Sequence, residues 1–420
     1  MAVKAKAVTV EGVIADDRQS RINSIIDKRN RKAVKDGITT ADRPILGTIE
    51  TMAGLRGERL PTGNVILDYY LGPGYGKFKK RGLTRGTSSL WWGPPGTGKS
   101  MHCMLTAAIT IRNGGYVLWI QAEEGDTLAM AKVFGINPED GHFIHQDVRG
   151  SGEMAFEVIQ DFLMANGVAT DLIDLVVVDS IAALAPKEEL AAIEKDGLGN
   201  SSQGMALPQR MMSRLFRIIH AYKMHDRCHI IFVSQSRVDL GAYMSPDKAQ
   251  GGRGTSHGVR LNLRFNPIGG KAGLIMSGEK VVGHKYRIKF IKEGIRHKYQ
   301  NLEFENTALY GHGLDDIAAT YHLVAVELGG VTTGSWFSAT DELREFLPPG
   351  DWKYNGKEKF MAALEEDKIL YQGCQDFIAA KSAENRVITV EPDDAEMTNG
   401  DEDDGVSLEG AEDHDDRGDA

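Results

Sequence analysis

The sequence predicts an α/β fold around a mostly parallel central sheet, and three observations carry that prediction. Short, almost wholly apolar runs such as "DLVVVDS" and "HIIFVSQ" alternate with amphipathic helical stretches. A glycine-rich loop, "GPPGTGKS", stands between a strand-like and a helix-like segment. Two later stretches, "VRLNLRF" and "YRIKFIK", alternate apolar and polar residues with period two. Continuous apolar strands are buried on both faces by flanking helices, whereas the period-two pair suits an antiparallel extension.

The elements follow in order. Residues 17–35 form a basic helix with a thin apolar stripe at Ile22, Ile25 and Ile26, too narrow for a core and suited to docking on a neighbour. From about residue 46, "GTSSLWWG" is a strand ending in glycine, and "MHCMLTAAITIRNGG" is the helix after it. "YVLWIQAEEGD" is a strand ending in acids, "MAFEVIQDFLMANG" a helix and "DLIDLVVVDS" a buried strand. "PQRMMSRLFRIIHAYKMH" is a helix and "HIIFVSQSR" a further buried strand. In "QGGRGTSHGVRLNLRF", four glycines in nine residues open a cationic loop. The strand after it turns Val259, Leu261, Leu263 and Phe265 one way and Arg260, Asn262 and Arg264 the other. From His312 to about Asn385 a more helical, small α+β domain is expected. The divisions are thus 1–45, 46–311, 312–385 and 386–420, with no internal repeat.

Composition narrows the class. The chain has 420 residues, 41% of them hydrophobic, but no apolar run near the length of a membrane span. The first twenty residues lack a secretory signal, so a soluble, cytoplasmic protein is expected. Cys103, Cys228 and Cys374 are isolated, which argues against a disulfide framework or a zinc knuckle. The net charge is −10, yet Glu391 to Ala420 hold fourteen acids against one arginine, −13, so the first 390 residues carry +3. A mildly basic body therefore carries an acidic, disordered tail, either solubilising or competing with an anionic ligand.

The chemistry begins at Gly93–Ser100. "GPPGTGKS" fits G-x-x-x-x-G-K-[ST] in a strand–loop–helix setting, a phosphate-binding loop for ATP with Mg²⁺. The loop of Gly93, Pro94, Pro95, Gly96, Thr97 and Gly98 wraps the phosphates, its glycines allowing close approach while consecutive backbone N–H groups at the helix start cradle the β-phosphate; Lys99 reaches the β- and γ-phosphates, and Ser100 is a Mg²⁺ ligand. Asp179 ends an apolar strand, where it can hold the Mg²⁺ water shell. Glu123 and Glu124 follow another strand end as candidates for orienting water, or as an exposed acidic turn. Gln235 ends a further strand and can sense the γ-phosphate. The loop from Arg237 to Gly258 hangs off that sensor. Its glycines and its cations, Lys248, Arg253 and Arg260, with Tyr243 and Met244 for base contact, suit single-stranded nucleic acid. Arg210, Arg214 and Arg217 share a helix face beside the same sheet edge.

The ordered series "LPTGNVILDYYLG", "GPPGTGKS", "WIQAEEGD", "VVVDSIAALAPKEEL", "RMMSRLFR", "IIFVSQSR", "GGRGTSHGVRLNLRF" and "YRIKFIKEG" resembles the RecA family of ATP-dependent DNA recombinases, including phage UvsX-like members. The resemblance covers about residues 46–311 and implies a RecA-like P-loop ATPase core. It makes Glu123 the water-activating residue and Gln235 the switch between γ-phosphate and DNA. Residues 187–209 become the first DNA loop, with Arg210 and Arg217 near the DNA backbone. Residues 237–258 become the second, with Arg237, Lys248, Gly251, Gly252 and Arg253 on DNA and Tyr243 inserted between bases. Lys292 matches a lysine that reaches the ATP of the adjacent subunit. The implied partners are single-stranded and duplex DNA, further copies in a helical filament, a single-strand-binding protein and a loader, and no membrane.

The chain departs from the pattern at three places. Gly294 stands where a second interface cation is expected, Met130 where a tyrosine stacks on adenine, and "GNSSQGMALPQ" matches neither branch of the family. Two other readings use the same features: a ring-forming motor or helicase, and a non-catalytic accessory paralogue. The joint presence of Lys99, Ser100, Glu123 and Asp179 argues against the second.

Overall fold

The computed structural model describes residues 10–36, 58–73, 80–166, 172–189, 191, 207–222, 228–237, 248–250, 252–293 and 299–384. Residues 1–386 form one compact unit. The expected acidic tail, Tyr243, Gly251 and most of the expected first DNA loop lie outside the described residues.

The chain opens with helix α1 (Val10–Lys35), whose Ile22 and Ile25 are exposed. Strand β1 (Arg59–Leu60), helix α2 (Val65–Leu71) and strand β2 (Leu83–Thr84) follow. The "LPTGNVILD" stretch closes on itself. Thr62 donates to Asp68 Oδ1 through its N–H at 2.9 Å and its hydroxyl at 2.8 Å, and the Gly63 N–H donates to Oδ2 at 3.2 Å. Asn64 caps α2 by accepting from the Leu67 N–H, and its amide donates to Asn306 at 2.7 Å. This motif is thus a structural lock. Burial still raises the Asp68 carboxyl to about 6, against the pull of those donors.

The core alternates β3 (Thr87–Gly93), α3 (Lys99–Arg112), β4 (Val117–Gln121), α4 (Thr127–Val133), β5 (Phe143–Asp147), α5 (Gly152–Asn166), β6 (Leu175–Asp179), α6 (Leu207–Tyr222) and β7 (His229–Arg237). Then come β8 (Lys248–Ala249), α7 (Gly252–Gly258), β9 (Leu261–Pro267), β10 (Leu274–Ser277), β11 (Lys280–Glu293), β12 (Glu303–Leu309) and β13 (Gly313–Leu314). The main sheet runs β13-β12-β11-β9-β3-β7-β6-β4-β5, with β10 on β11 and β8 on β7. Pairing is parallel from β9 through β5 and antiparallel from β9 outward through β11 to β13.

Alternate residues of the parallel strands feed two cores. Trp91, Trp119, Val177, Ile231 and Leu263 pack with α2, α3 and the C-terminal helices, while Leu90, Ile120, Val178 and Phe232 pack with α5 and α6. Trp91 and Trp119 are fully buried; each stabilises the fold by on the order of 4 kcal/mol at about 25 cal/mol per Å² of apolar surface.

Three expectations are corrected. The end of the glycine-rich stretch is the helix α7 rather than loop. Its glycines permit close helix packing. A Cβ on Gly254 would lie 2.3 Å from Ser213 Oγ, and one on Gly258 would lie 2.5 Å from Phe216 Cγ. Val259 precedes β9 and joins the core beneath α6, opposite to Leu261, Leu263 and Phe265. The polar face of β9 is covered too: Asn262 is buried and accepts from Trp92 Nε1 at 2.7 Å, and the Arg264 guanidinium lies 5.2 Å from the Trp92 ring centre.

Beyond β13 lie α8 (Asp316–Tyr321), continued by a π-helical turn, then β14 (Val331–Thr332), β15 (Phe337–Ala339), α9 (Asp341–Arg344), β16 (Lys353–Tyr354), α10 (Lys357–Glu366) and α11 (Lys368–Glu384). The three short strands form their own antiparallel sheet. Phe360, Phe377 and Ile378 continue the core that contains α2, and the Ser382 hydroxyl donates to the Tyr69 carbonyl at 3.1 Å. Among the described residues, no helix is long and apolar enough to cross a membrane.

Candidate functional site

The C-terminal ends of the parallel strands gather the polar residues at one sheet edge, as open α/β sheets do. Gly93 ends β3 level with Gln235 on β7, and Asp179 ends β6 level with Gln121 on β4. Lateral strand order therefore sets β3, β7, β6 and β4 side by side. The polar groups at 93–100, 235, 179 and 123 consequently sit in an order that the chain itself does not have.

The loop at 93–98 enters α3 with Gly98 left-handed at φ +81°. Any side chain there would be strained, and its Cβ would meet the Tyr286 ring at 3.0 Å. Gly93 is needed for approach: a Cβ would fall 2.1 Å from the Phe265 carbonyl oxygen. The Thr97 hydroxyl donates to the Pro94 carbonyl at 2.8 Å and stiffens the turn. Lys99 is buried, and its ammonium donates to the carbonyls of Gly93 at 3.0 Å and Pro94 at 2.7 Å. Burial lowers its pKa, opposed by Asp179 and Glu123 nearby. Behind the loop, the Tyr286 hydroxyl and His102 Nε2 lie 2.6 Å apart in full burial, which holds the imidazole down at about 3.

Asp179 rises to about 6 because burial outweighs the hydrogen bond from Ser100 and the charge of Lys99, and Glu123 pushes it further up. A hydroxyl and a carboxylate in mutual contact beside a phosphate loop form an oxygen donor pair of the kind Mg²⁺ takes, the remaining positions being left to phosphate and water. The pair fits that ion. No cluster of three or more His, Cys, Asp or Glu side chains suited to a metal occurs among the described residues, so no all-protein cage competes with it.

Glu123 and Glu124 separate. Glu124 is exposed, whereas Glu123 is half-buried and its Oε1 accepts from Gln235 Nε2 at 2.8 Å and from the Ser180 hydroxyl. The turn that carries Glu123 is pinned by Gln121, whose amide donates to the carbonyls of Glu123 and Gly125 at 3.0 Å each. The Ala122 N–H ties the same turn to the Asp179 carbonyl at 2.8 Å. Sequence reasoning missed Ser180 and Gln121. A hydroxyl directly after Asp179, and an amide ending an otherwise apolar strand, were the available signals.

From Gln235 the backbone leads onward. The Gln250 N–H donates to the Gln235 carbonyl at 3.1 Å, the Ser234 hydroxyl donates to the Gln250 carbonyl at 3.1 Å, and Arg237 pairs with Lys248 in β7–β8. Gly252 and Arg253 open α7. On α6, Arg210, Arg214 and Arg217 are exposed on one face while Met212, Leu215, Phe216 and Ile219 are buried.

Lys292 has a position that strict alternation does not predict. With period two it would share the buried face of Tyr286, Ile288 and Phe290. A bulge between Phe290 and Lys292 pairs it with Asn262 instead, on the α7 side. Its ammonium donates to the carbonyls of Val259 at 2.7 Å, His257 at 3.2 Å and Ser256 at 3.4 Å, closing the C-terminal end of α7.

The RecA N-terminal domain family matches residues 46–315. Among similar proteins, the chain is 30% identical to Protein RecA of Psychrobacter cryohalolentis over 326 residues, 76% of this chain and 84% of that one. It is 33% identical to Protein RecA of Blastochloris viridis over 290 residues, 68% and 75% of the two chains. For Protein RecA of Chlorobium chlorochromatii the identity is 30% over 335 residues, 78% and 84%.

Proposed function

The chain belongs to the RecA family and is a RecA-family recombination protein, and from that premise we propose that it hydrolyses ATP in response to DNA, forms helical filaments on single-stranded DNA and pairs that strand with homologous duplex. The observation that carries this reading is the hydrogen bond from Gln235 to Glu123 beside the phosphate loop, on the strand whose end pairs with Lys248 and Ala249 ahead of α7.

In this reading Gly93–Gly98 and Lys99 hold the triphosphate, and Ser100 and Asp179 hold Mg²⁺. When bound, that ion neutralises charge on the β- and γ-phosphate oxygens. Glu123 takes a proton from water as the water oxygen bonds the γ-phosphorus; the bond from that phosphorus to the bridging oxygen breaks, leaving ADP and phosphate. Gln235 turns its amide from Glu123 to the γ-phosphate and moves the segment 237–258 with it. Arg210, Arg217, Arg237, Lys248 and Arg253 lie along the strand's phosphates, Gly251 and Gly252 let the backbone approach, and Tyr243 stacks on bases. Lys292 leaves the end of α7 for the ATP of an adjacent subunit, and the exposed Ile22 and Ile25 dock on that neighbour. Residues 46–311 serve as the motor, 312–385 as an auxiliary domain and 386–420 as an acidic competitor for duplex DNA.

The test is the ATP hydrolysis rate with and without mixed-sequence single-stranded DNA, with Lys99→Ala as control, followed by electron microscopy of the DNA-bound protein. A large DNA-dependent rise lost in Lys99→Ala, with helical filaments, is expected. Turnover indifferent to DNA, or closed rings, would overturn the reading.

A further inference from the structure

Both hydrogen bonds to the Glu123 carboxylate fall on one oxygen, Oε1, and they come from frames of different kinds. Gln235 is half-buried, and it stands near the end of β7, from which the chain continues into the segment 237–258. Ser180 is fully buried directly after Asp179. Its hydroxyl oxygen also accepts from the Ala182 N–H at 3.2 Å, capping the turn Ile181–Ala183. With its proton given to Glu123 and a lone pair taken by Ala182, that hydroxyl has one satisfied orientation.

We propose that Ser180 is a positioning residue for ATP hydrolysis, holding Glu123 by Oε1 so that Oε2 faces water when Gln235 releases it. This rests on the reading of Glu123 as the proton acceptor. A carboxylate anchored by Gln235 alone would lose its orientation whenever that amide turned to a phosphate. Two donors on one oxygen separate the two tasks: Gln235 reports, and Ser180 retains. Catalytic geometry is sensitive at this level, since displacement of a reacting group by about 1 Å costs on the order of a hundredfold in rate.

The experiment compares the full-length wild type, Ser180→Ala, Glu123→Gln and the double variant, each with saturating MgATP and single-stranded DNA. Ser180→Ala is expected to lower kcat roughly tenfold with KM for ATP within about twofold of wild type, the signature of a contact used only in the transition state. In the Glu123→Gln background the same change is expected to have no further effect on residual turnover. A structural role would add its loss in both backgrounds, so additive losses, or wild-type kcat in Ser180→Ala, overturn the proposal. If Glu123→Gln itself turns over at the wild-type rate, the base assignment fails instead. Should Ser180→Ala not fold, Ser180→Cys, which keeps the side-chain shape with a somewhat larger atom and a weaker donor, takes its place with the same expectations.

Discussion

Gly254 of α7 lies against Ser213 of α6 so closely that a Cβ on the glycine would stand 2.3 Å from the serine Oγ, but 3.4 Å from its Cβ. The hydroxyl alone is thus the obstacle. Gly254→Ala is expected to destabilise the chain by about 1–2 kcal/mol, overpacking outweighing the better helix propensity of alanine. Adding Ser213→Ala removes the obstructing atom and should restore the wild-type midpoint in chemical unfolding. A double variant no more stable than Gly254→Ala would show that the contact does not set the helix spacing.

Lys292 holds three carbonyls at the end of α7. Lys292→Met keeps the aliphatic stem and removes the charge and the donors. Amide hydrogen exchange in residues 252–258 of the isolated protein should then accelerate by about tenfold, the equivalent of roughly 1.4 kcal/mol for a lost charge-assisted cap. Unchanged protection would mean that the cap contributes nothing to α7.

Stability should carry a pH signature from His102. Burial lowers its pKa from 6.5 to about 3, so the folded chain keeps it neutral while the unfolded chain protonates it. Its contribution is complete above pH 6.5 and is lost as pH falls toward 3. Asp68 and Asp179, each raised to about 6, act in the opposite sense, since their ionised forms are disfavoured in the fold. Those two groups are common to wild type and His102→Gln. The difference between the two proteins should therefore shrink by about 1.4 kcal/mol per pH unit between 6 and 4. A difference constant with pH would mean that His102 is protonated equally in both states.

Arg210 and Arg217 lie on the exposed face of α6. If each neutralises one DNA phosphate, Arg210→Ala and Arg217→Ala should each flatten the slope of log affinity against log salt by about 1 for duplex DNA and slightly less for a single strand. Slopes equal to wild type would take that face off the DNA.

The local patterns of the sequence were enough for the class of fold. Apolar runs with two buried faces, amphipathic helices between them and a phosphate loop at a strand–helix junction are properties of contiguous residues, and hydrophobic burial reads them directly. Lys99, Ser100 and Asp179 were legible for the same reason, each lying at a recognisable strand end or helix start. Tertiary structure alone decided the rest. The insertion of β7 and β6 between β3 and β4 brings Gln235 and Ser180 to one oxygen of Glu123, across 112 and 57 residues of chain. The glycines at 254 and 258 belong to a helix because Ser213 and Phe216 occupy the space a side chain would need. A bulge of one residue turns Lys292 from the core face to the end of α7. Periodicity records which way a side chain faces along its own element; which groups meet across elements depends on strand order, packing distance and register, which are set only when the whole sheet is buried.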